Sequence, residues 1–333
     1  MYERFYEFTA APFQLTPDSR FYFESRAHSR AAAHLTFGLA QGEGFVVVTG
    51  EVGAGKTTLI ERLLSQLDRD TYTVARINTT QVSGDDLFRL AMAGFGVDVT
   101  EASKATLLLR FEDVLREHHL AGRRGLLIVD EVQNLPLPAL EELRMLSNLT
   151  EGGRAGLQTI LMGQPQFRRM LASPDLDQLR QRVLASYHLG PLSREETRAY
   201  VLHRLTTVGW HGNPEWEEAA FGAVFDHTGR IPRRINRLCA RVLLYGALEE
   251  SGEVTAAMVE TTAEELAMDL EGGAAALALA GTGGGRPIGF AGPREEWGEL
   301  SHRLAALESK VARRERVFQR LLDVFAAAGG PVA

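Results

Sequence analysis

The sequence holds a single cysteine, Cys239, so no internal disulfide can form. It has no run of 18 apolar residues, and its longest greasy piece, 274–280, is far too short to cross a bilayer. Residues 1–11 lack the apolar stretch that a secretory signal needs. Positive charge is not in excess either: 36 Lys and Arg stand against 43 Asp and Glu, a formal charge of −7. That balance favours solubility and does nothing to gather polyanions. The expectation is a cytoplasmic protein, peripheral at an inner membrane only through a partner and without direct insertion, for which nucleic acid is an unfavoured ligand.

What is present suits a soluble enzyme. The 333 residues allow roughly two compact domains and an appendage, and 45% apolar with 24% charged residues matches globular chains. Residues 1–24 carry Phe5, Phe8, Phe13, Phe21 and Phe23 with Pro12 and Pro17, and read as irregular chain pinned to a domain surface. From 25 to 191, with Ser25 as a helix cap, short apolar runs at 45–49, 73–77, 126–129, 157–162 and 185–189 alternate with helical patterns at 56–67, 84–93, 104–118 and 140–149, and one closes at 178–184. Strands alternating with helices predict an α/β fold with a parallel sheet core. Residues 192–270 show helical periods and no strand, as a small helical lid does. The Gly- and Ala-rich stretch 271–294 reads as a flexible linker. In 295–327, Trp297, Leu300, Leu304, Leu307, Val311, Phe318, Leu321 and Phe325 fall on heptad spacing broken only by Arg314, which predicts a coiled-coil-like or partner-binding helix. The plain alternative is a helix docked on the rest of the chain.

The chemistry begins at Gly50-Glu51-Val52-Gly53-Ala54-Gly55-Lys56-Thr57, followed by Thr58. This is a phosphate-binding loop in the context it requires, after a strand and opening a helix. Its glycines let successive backbone N–H groups turn toward phosphate, Lys56 brings a point charge to the β- and γ-phosphates, and the Thr57 hydroxyl coordinates magnesium. The apolar strand 126–129 then delivers Asp130 and Glu131 at its C-terminal edge, where open α/β sheets bind ligands. Asp130 is expected to hold the Mg2+ shell, and Glu131 to act as general base on the attacking water. The pair predicts Mg-dependent hydrolysis of ATP. His118 and His119 read as the end of a surface helix, Cys239 as part of an apolar helix face, and the Glu141-Glu142, Glu195-Glu196 and Glu217-Glu218 pairs as exposed faces or first-turn charges.

These residues resemble a family. Pro12-Phe13-Gln14-Leu15-Thr16-Pro17-Asp18, Gly42-Glu43-Gly44-Phe45 and Asp130-Glu131-Val132-Gln133-Asn134-Leu135 are similar to AAA+ ATPases of the ExeA/GspA secretion type, most closely to the ATPase of exosortase and PEP-CTERM exopolysaccharide loci. The resemblance runs from residue 1 to about 270. It implies a polar sensor at Gln164 that orients the water and a lid arginine, Arg233, that contacts the γ-phosphate. It also implies an arginine finger in 179–183, with Arg182 favoured over Arg180, entering a neighbouring subunit's site. Both arginines have a plain alternative as solvated or helix-capping groups, and Ser186 stands where relatives often carry a further arginine. The adenine is expected between the N-terminal segment and the lid.

The resemblance further implies a homo-oligomeric ring or arc supporting envelope exopolysaccharide export or protein secretion, with the C-terminal helix reaching a membrane-embedded partner. Relatives of the ExeA type commonly continue into a membrane span and a peptidoglycan-binding domain, neither of which is seen here. Two other readings stay open: a DNA-binding transposition regulator, to which the cluster Arg230, Arg233, Arg234 and Arg237 would contribute, and a nucleotide-gated scaffold with slow hydrolysis.

Overall fold

The computed structural model describes residues 2–280 apart from 17, 79–81, 101 and 152–153. After α1 (Tyr2–Phe5) and α2 (Arg26–Gln41), the strand β1 (Phe45–Gly50) is buried along its whole length, as a strand covered on both faces must be. There follow α3 (Lys56–Gln66), β2 (Tyr72–Ile77), α4 (Gly84–Gly94), α5 (Lys104–Leu120), β3 (Arg124–Val129) and α6 (Leu137–Leu146). A short hairpin of β4 (Thr150–Glu151) and β5 (Arg154–Ala155) leads into β6 (Leu157–Gly163), then α7 (Pro165–Leu171), α8 (Asp177–Arg180) and β7 (Val183–Leu189). The lid follows as α9 (Arg194–Thr207), β8 (Glu215–Trp216), α10 (Glu218–His227), α11 (Pro232–Leu248), β9 (Glu253–Val254) and α12 (Ala256–Ala280).

Five strands form one sheet in the order β2-β3-β6-β1-β7, and every pairing within it is parallel. Because side chains alternate along a strand, each strand feeds two cores. Phe45, Val47, Leu127, Val129 and Leu161 pack on one face with α4, α5 and α6. Val46, Val48, Leu126, Ile128 and Met162 pack on the other with α2 and α3. The α/β class with a parallel sheet is therefore what the alternating pattern required. Since β1, β6 and β3 are neighbours running the same way, their C-terminal ends bring Gly50, Gln164 and Asp130 to one edge.

Several local expectations change. Most of the N-terminal aromatics do not lie on a surface: Tyr6, Phe8, Phe13 and Phe21 are buried in the lid core among Val201, Leu205, Leu238 and Val242, and Phe5 is exposed. The lid is not purely helical, since β8 and β9 pair in parallel, Glu215 with Glu253 and Trp216 with Val254; two-residue strands are too short to show an alternation. Val183 and Leu184 belong to β7, not to the preceding helix. His118 turns inward and is buried. Residues 271–280 of the composition-based linker lie within α12, and the rest of that stretch and all of 295–327 lie outside the described residues. The larger compact unit, Met1–Ala247 with Gly252–Ala263, holds every residue of the site below, while the second comprises Leu248–Ser251 and the chain from Glu264.

α2 lies against β1 at Gly38, where an added Cβ would come 2.1 Å from Val46 Cγ2. The Gly38 carbonyl also accepts a hydrogen bond from Gln158 Nε2 on β6. Gly38→Ala should therefore destabilise the protein by about 1–3 kcal/mol through overpacking, in spite of the ~1 kcal/mol that alanine gains in helix propensity. Denaturant unfolding of G38A, V46A and the double variant checks this: removing the Val46 methyls should recover most of the G38A loss, and simple additivity would contradict it.

Candidate nucleotide-binding site

The loop between β1 and α3 is confined on two sides. Gly53 and Gly55 adopt φ of 83° and 99°, values that glycine takes without a Cβ penalty. A Cβ on Gly53 would lie 2.2 Å from Arg233 Cβ, and one on Gly55 would lie 2.6 Å from His28 Nε2. The lid meets the loop through its backbone as well, the Arg233 N–H donating to the Gly53 carbonyl at 3.2 Å. Lys56 opens α3 and donates from Nζ to the carbonyls of Gly50 (2.8 Å) and Glu51 (3.2 Å). Burial lowers its pKa, opposed by the charges of Glu131, Asp130 and Glu51.

His28 holds the loop from the α2 side. The Ser25 hydroxyl accepts from the His28 backbone N–H at 3.2 Å, capping α2, and lies 2.7 Å from His28 Nδ1. The imidazole also hydrogen-bonds the backbone of Ala54 in the loop. The ring is buried, and desolvation holds its pKa below the ordinary imidazole range against the pull of Glu196 and Glu24.

At the β3 edge, Asp130 Oδ2 accepts from the Thr57 hydroxyl at 3.4 Å, and Oδ1 accepts from the Glu131 N–H at 2.8 Å. Two hard oxygens side by side fit Mg2+, which takes one or two protein oxygens and completes its shell with water and phosphate. Glu131 has a left-handed backbone, φ 51° and ψ 38°. Its Oε2 accepts from the side-chain amides of Gln133 (2.5 Å) and Gln164 (2.9 Å). Gln164 sits at the N-cap of α7, directly beyond β6.

A cleft of about 370 Å³ runs past these groups, lined by Gly53, Gly55, Lys56, Thr57, Thr58 and Glu131. Arg233 lines it from the lid, and Phe21, Tyr22, Tyr200, Arg204 and Asn236 complete it from the N-terminal segment and the lid. The Tyr200 hydroxyl donates to Asn236 Oδ1 at 2.8 Å. Arg204 is buried, with its guanidinium 4.6 Å from the Phe21 ring centroid. This mixture of ring faces and polar tips suits a nucleobase.

The structure thus brings together Gly50 to Thr58, Asp130, Glu131, Gln164 and Arg233. It does not bring the two finger candidates to the cleft of their own chain. Arg182 Nη1 donates to the Ser147 carbonyl (3.0 Å) and hydroxyl (3.1 Å) at the end of α6, whereas Arg180 is half exposed and pairs with Asp177 at 2.6 Å. Sequence reading gave no role to His28 or Gln133, whose partners lie on other elements.

Residues 39–171 match a family described as AAA domain. Over those residues the chain carries an AAA domain. The chain is similar in fold to Cdc6p of Pyrobaculum aerophilum, with a TM-score of 0.58, 17% identity, and coverage of 75% of this chain and 71% of that one. It is likewise similar to ORC2 of Aeropyrum pernix in its ADPNP-ADP complexes, at a TM-score of 0.57, 16% identity, and 76% and 71% coverage. At such identities these likenesses bear on fold alone. By sequence, the chain is 37% identical over 270 residues to general secretion pathway protein A of Aeromonas hydrophila, covering 80% of this chain and 48% of that protein. It therefore spans about half the length of that relative. The sequence-level resemblance to the ExeA/GspA type agrees with this match.

The His28 contact has a pH signature. An imidazole of depressed folded pKa adds stability that is complete above about pH 6.5, its unfolded value, and is lost as pH falls toward and through the folded one. Urea unfolding between pH 7.5 and 5 should show a shallower acid loss for H28Q than for wild type. Identical slopes would remove His28 from the account.

Proposed function

We propose that the protein hydrolyses Mg-ATP at the β1-β6-β3 edge as an oligomer, each site completed by a neighbour, and that this activity supports protein secretion or envelope export. The observation that carries the catalytic part is the convergence on one cleft of Lys56, the Thr57–Asp130 oxygen pair, and a Glu131 carboxylate held by two amides.

In this reading the N–H groups of the Gly50–Thr58 loop and the N-terminus of α3 receive the phosphates, and Lys56 supplies positive charge in a desolvated setting where it counts most. Thr57 and Asp130 would hold Mg2+, which would offset negative charge on the transferred group. Glu131 accepts a proton from the attacking water, and Gln164, hydrogen-bonded to it, orients that water. Arg233 reports the γ-phosphate to the lid through the stem it packs on Gly53. The adenine lies by Phe21, Tyr200 and Asn236. Arg182 or Arg180 acts as a finger in trans; Arg180 is free of the α6 contact that occupies Arg182.

The secretion assignment is supported by the 37% identity to general secretion pathway protein A. Its narrower form, work at an exosortase-associated exopolysaccharide locus, rests on the resemblance in the Pro12–Asp18 and Asp130–Leu135 motifs. No helix among the described residues is long and apolar enough to cross a membrane, and we place the protein at the inner face of a membrane through a partner, with the segment 295–327 as the contact.

Hydrolysis should rise with protein concentration as assemblies form. Glu131→Gln should lose about 10²–10⁴-fold in kcat while still binding ATP, and Lys56→Ala should lose ATP binding. Arg182→Ala and Arg180→Ala, each mixed with E131Q, make the trans test, because the E131Q subunit can lend a finger to a site that keeps its own Glu131. Recovery of activity in one mixture names the finger, and recovery in neither sinks the trans-site reading. Activity dependent on duplex DNA and abolished by salt would hand the protein to the DNA-regulated class.

A further inference from the structure

Gln133 stands between two groups to which the proposed mechanism gives separate tasks. Its Nε2 donates to Glu131 Oε2 at 2.5 Å, and its Oε1 accepts from the backbone N–H of Gln164 at 2.9 Å. Gln164 closes the triangle by donating from its own Nε2 to the same Glu131 oxygen at 2.9 Å. A single amide thus fixes the carboxylate at the end of β3 relative to the main chain at the end of β6. Both polar ends of Gln133 are used, so its planar group has one orientation that satisfies both partners.

The surroundings leave little room for another arrangement. A Cβ on Gly163 would come 2.9 Å from Val132 Cγ2 and 3.1 Å from both Gln133 Oε1 and Phe167 Cβ. Val132 is fully buried. Glu131 holds a left-handed backbone, φ 51°, that a non-glycine residue adopts only under strain, so surrounding contacts must over-determine it. The hydrogen bond from Gln133, two residues along, is one of those contacts. Gln133 does not line the cleft and has no route to the nucleotide except through Glu131 and Gln164.

We propose that Gln133 is a positioning residue for hydrolysis, which locks the Glu131 carboxylate and the water-orienting Gln164 into one rigid unit. The proposal rests on Glu131 being the general base. Losing the strut leaves nucleotide binding intact and lets the carboxylate swing, and misplacement of a reacting group by about 1 Å costs on the order of 10²-fold in rate.

The test uses the full chain with Q133L, which fills the space and keeps neither polar end, and Q133A as a second variant in case the leucine packs badly. Thermal unfolding and ATP affinity serve as controls. The expected result is a fall in kcat of about 10–100-fold with KM and ATP affinity within about twofold of wild type. Q133E keeps the acceptor for the Gln164 N–H, but sets a carboxylate against Glu131, and should fall at least as far as Q133L. In single-turnover measurements on an E131Q background, Q133L should add less than it costs the wild type, because the part of its effect that passes through Glu131 is already lost. Unchanged or raised kcat in both Q133L and Q133A overturns the proposal, and so does an equal further loss in the E131Q background or a loss confined to KM. If E131Q itself hydrolyses ATP at the wild-type rate, the base assignment fails instead, and the two failures are told apart.

Discussion

The contact on which the site depends is the packing of a bare backbone between two helices. At Gly53 and Gly55 the loop passes so close to Arg233 and His28 that neither position has room for a side chain. This gives the main-chain donors a fixed direction before any ligand arrives, which is how a short loop turns hydrogen bonds into binding selectivity without reorganisation. The lid is also tied directly to α2. Glu196, in the capping box of α9, accepts the Ser193 N–H on one oxygen and the Arg26 N–H at the start of α2 on the other. One carboxylate thus ties the first turn of the lid to the first turn of the helix that carries His28.

The sheet contributes order of a different kind. Parallel neighbours end together, so three stretches far apart in sequence deliver a loop, an acidic pair and an amide to one edge. The acidic pair departs from regular backbone, and Glu131 is held there by side-chain amides from the next turn and the next strand. The left-handed residue, the buried valine after it and the glycine at the end of β6 belong to one compact junction, in which each member limits the space of the others.

Much of this could be read from local sequence. The loop Gly50–Thr58, the apolar strand before Asp130 and the Ser25 cap are recognisable because each function is encoded within a few adjacent residues. Gln133 was visible as part of a motif, but its task depends on Gln164, which only the β3–β6 pairing brings near. His28 reads as an ordinary residue in the first turn of a helix, since nothing in the sequence says that Gly55 lies over its ring. The aromatics of the first residues suggest attachment without saying to what, and β8 and β9 are too short for any period. Arg182 was legible as an arginine at a helix end, and its bond to Ser147 accords with the capping alternative as well as with a group that changes partners on assembly.

The N-terminal strap has a consequence for how the molecule is made. Thr9 bonds to the Val208 carbonyl, 199 residues away in sequence, and Tyr6, Phe8, Phe13 and Phe21 fill the interior of helices that emerge from the ribosome long after them. At about 5–20 residues per second, these rings wait roughly 10–40 s for their partners, while the five-stranded sheet is synthesised in between. During that interval these rings lack the lid residues against which they pack. The lid core is therefore completed only after the sheet has been synthesised, with its first and last contributors, Tyr6 and Ala263, on opposite sides of the sheet in sequence.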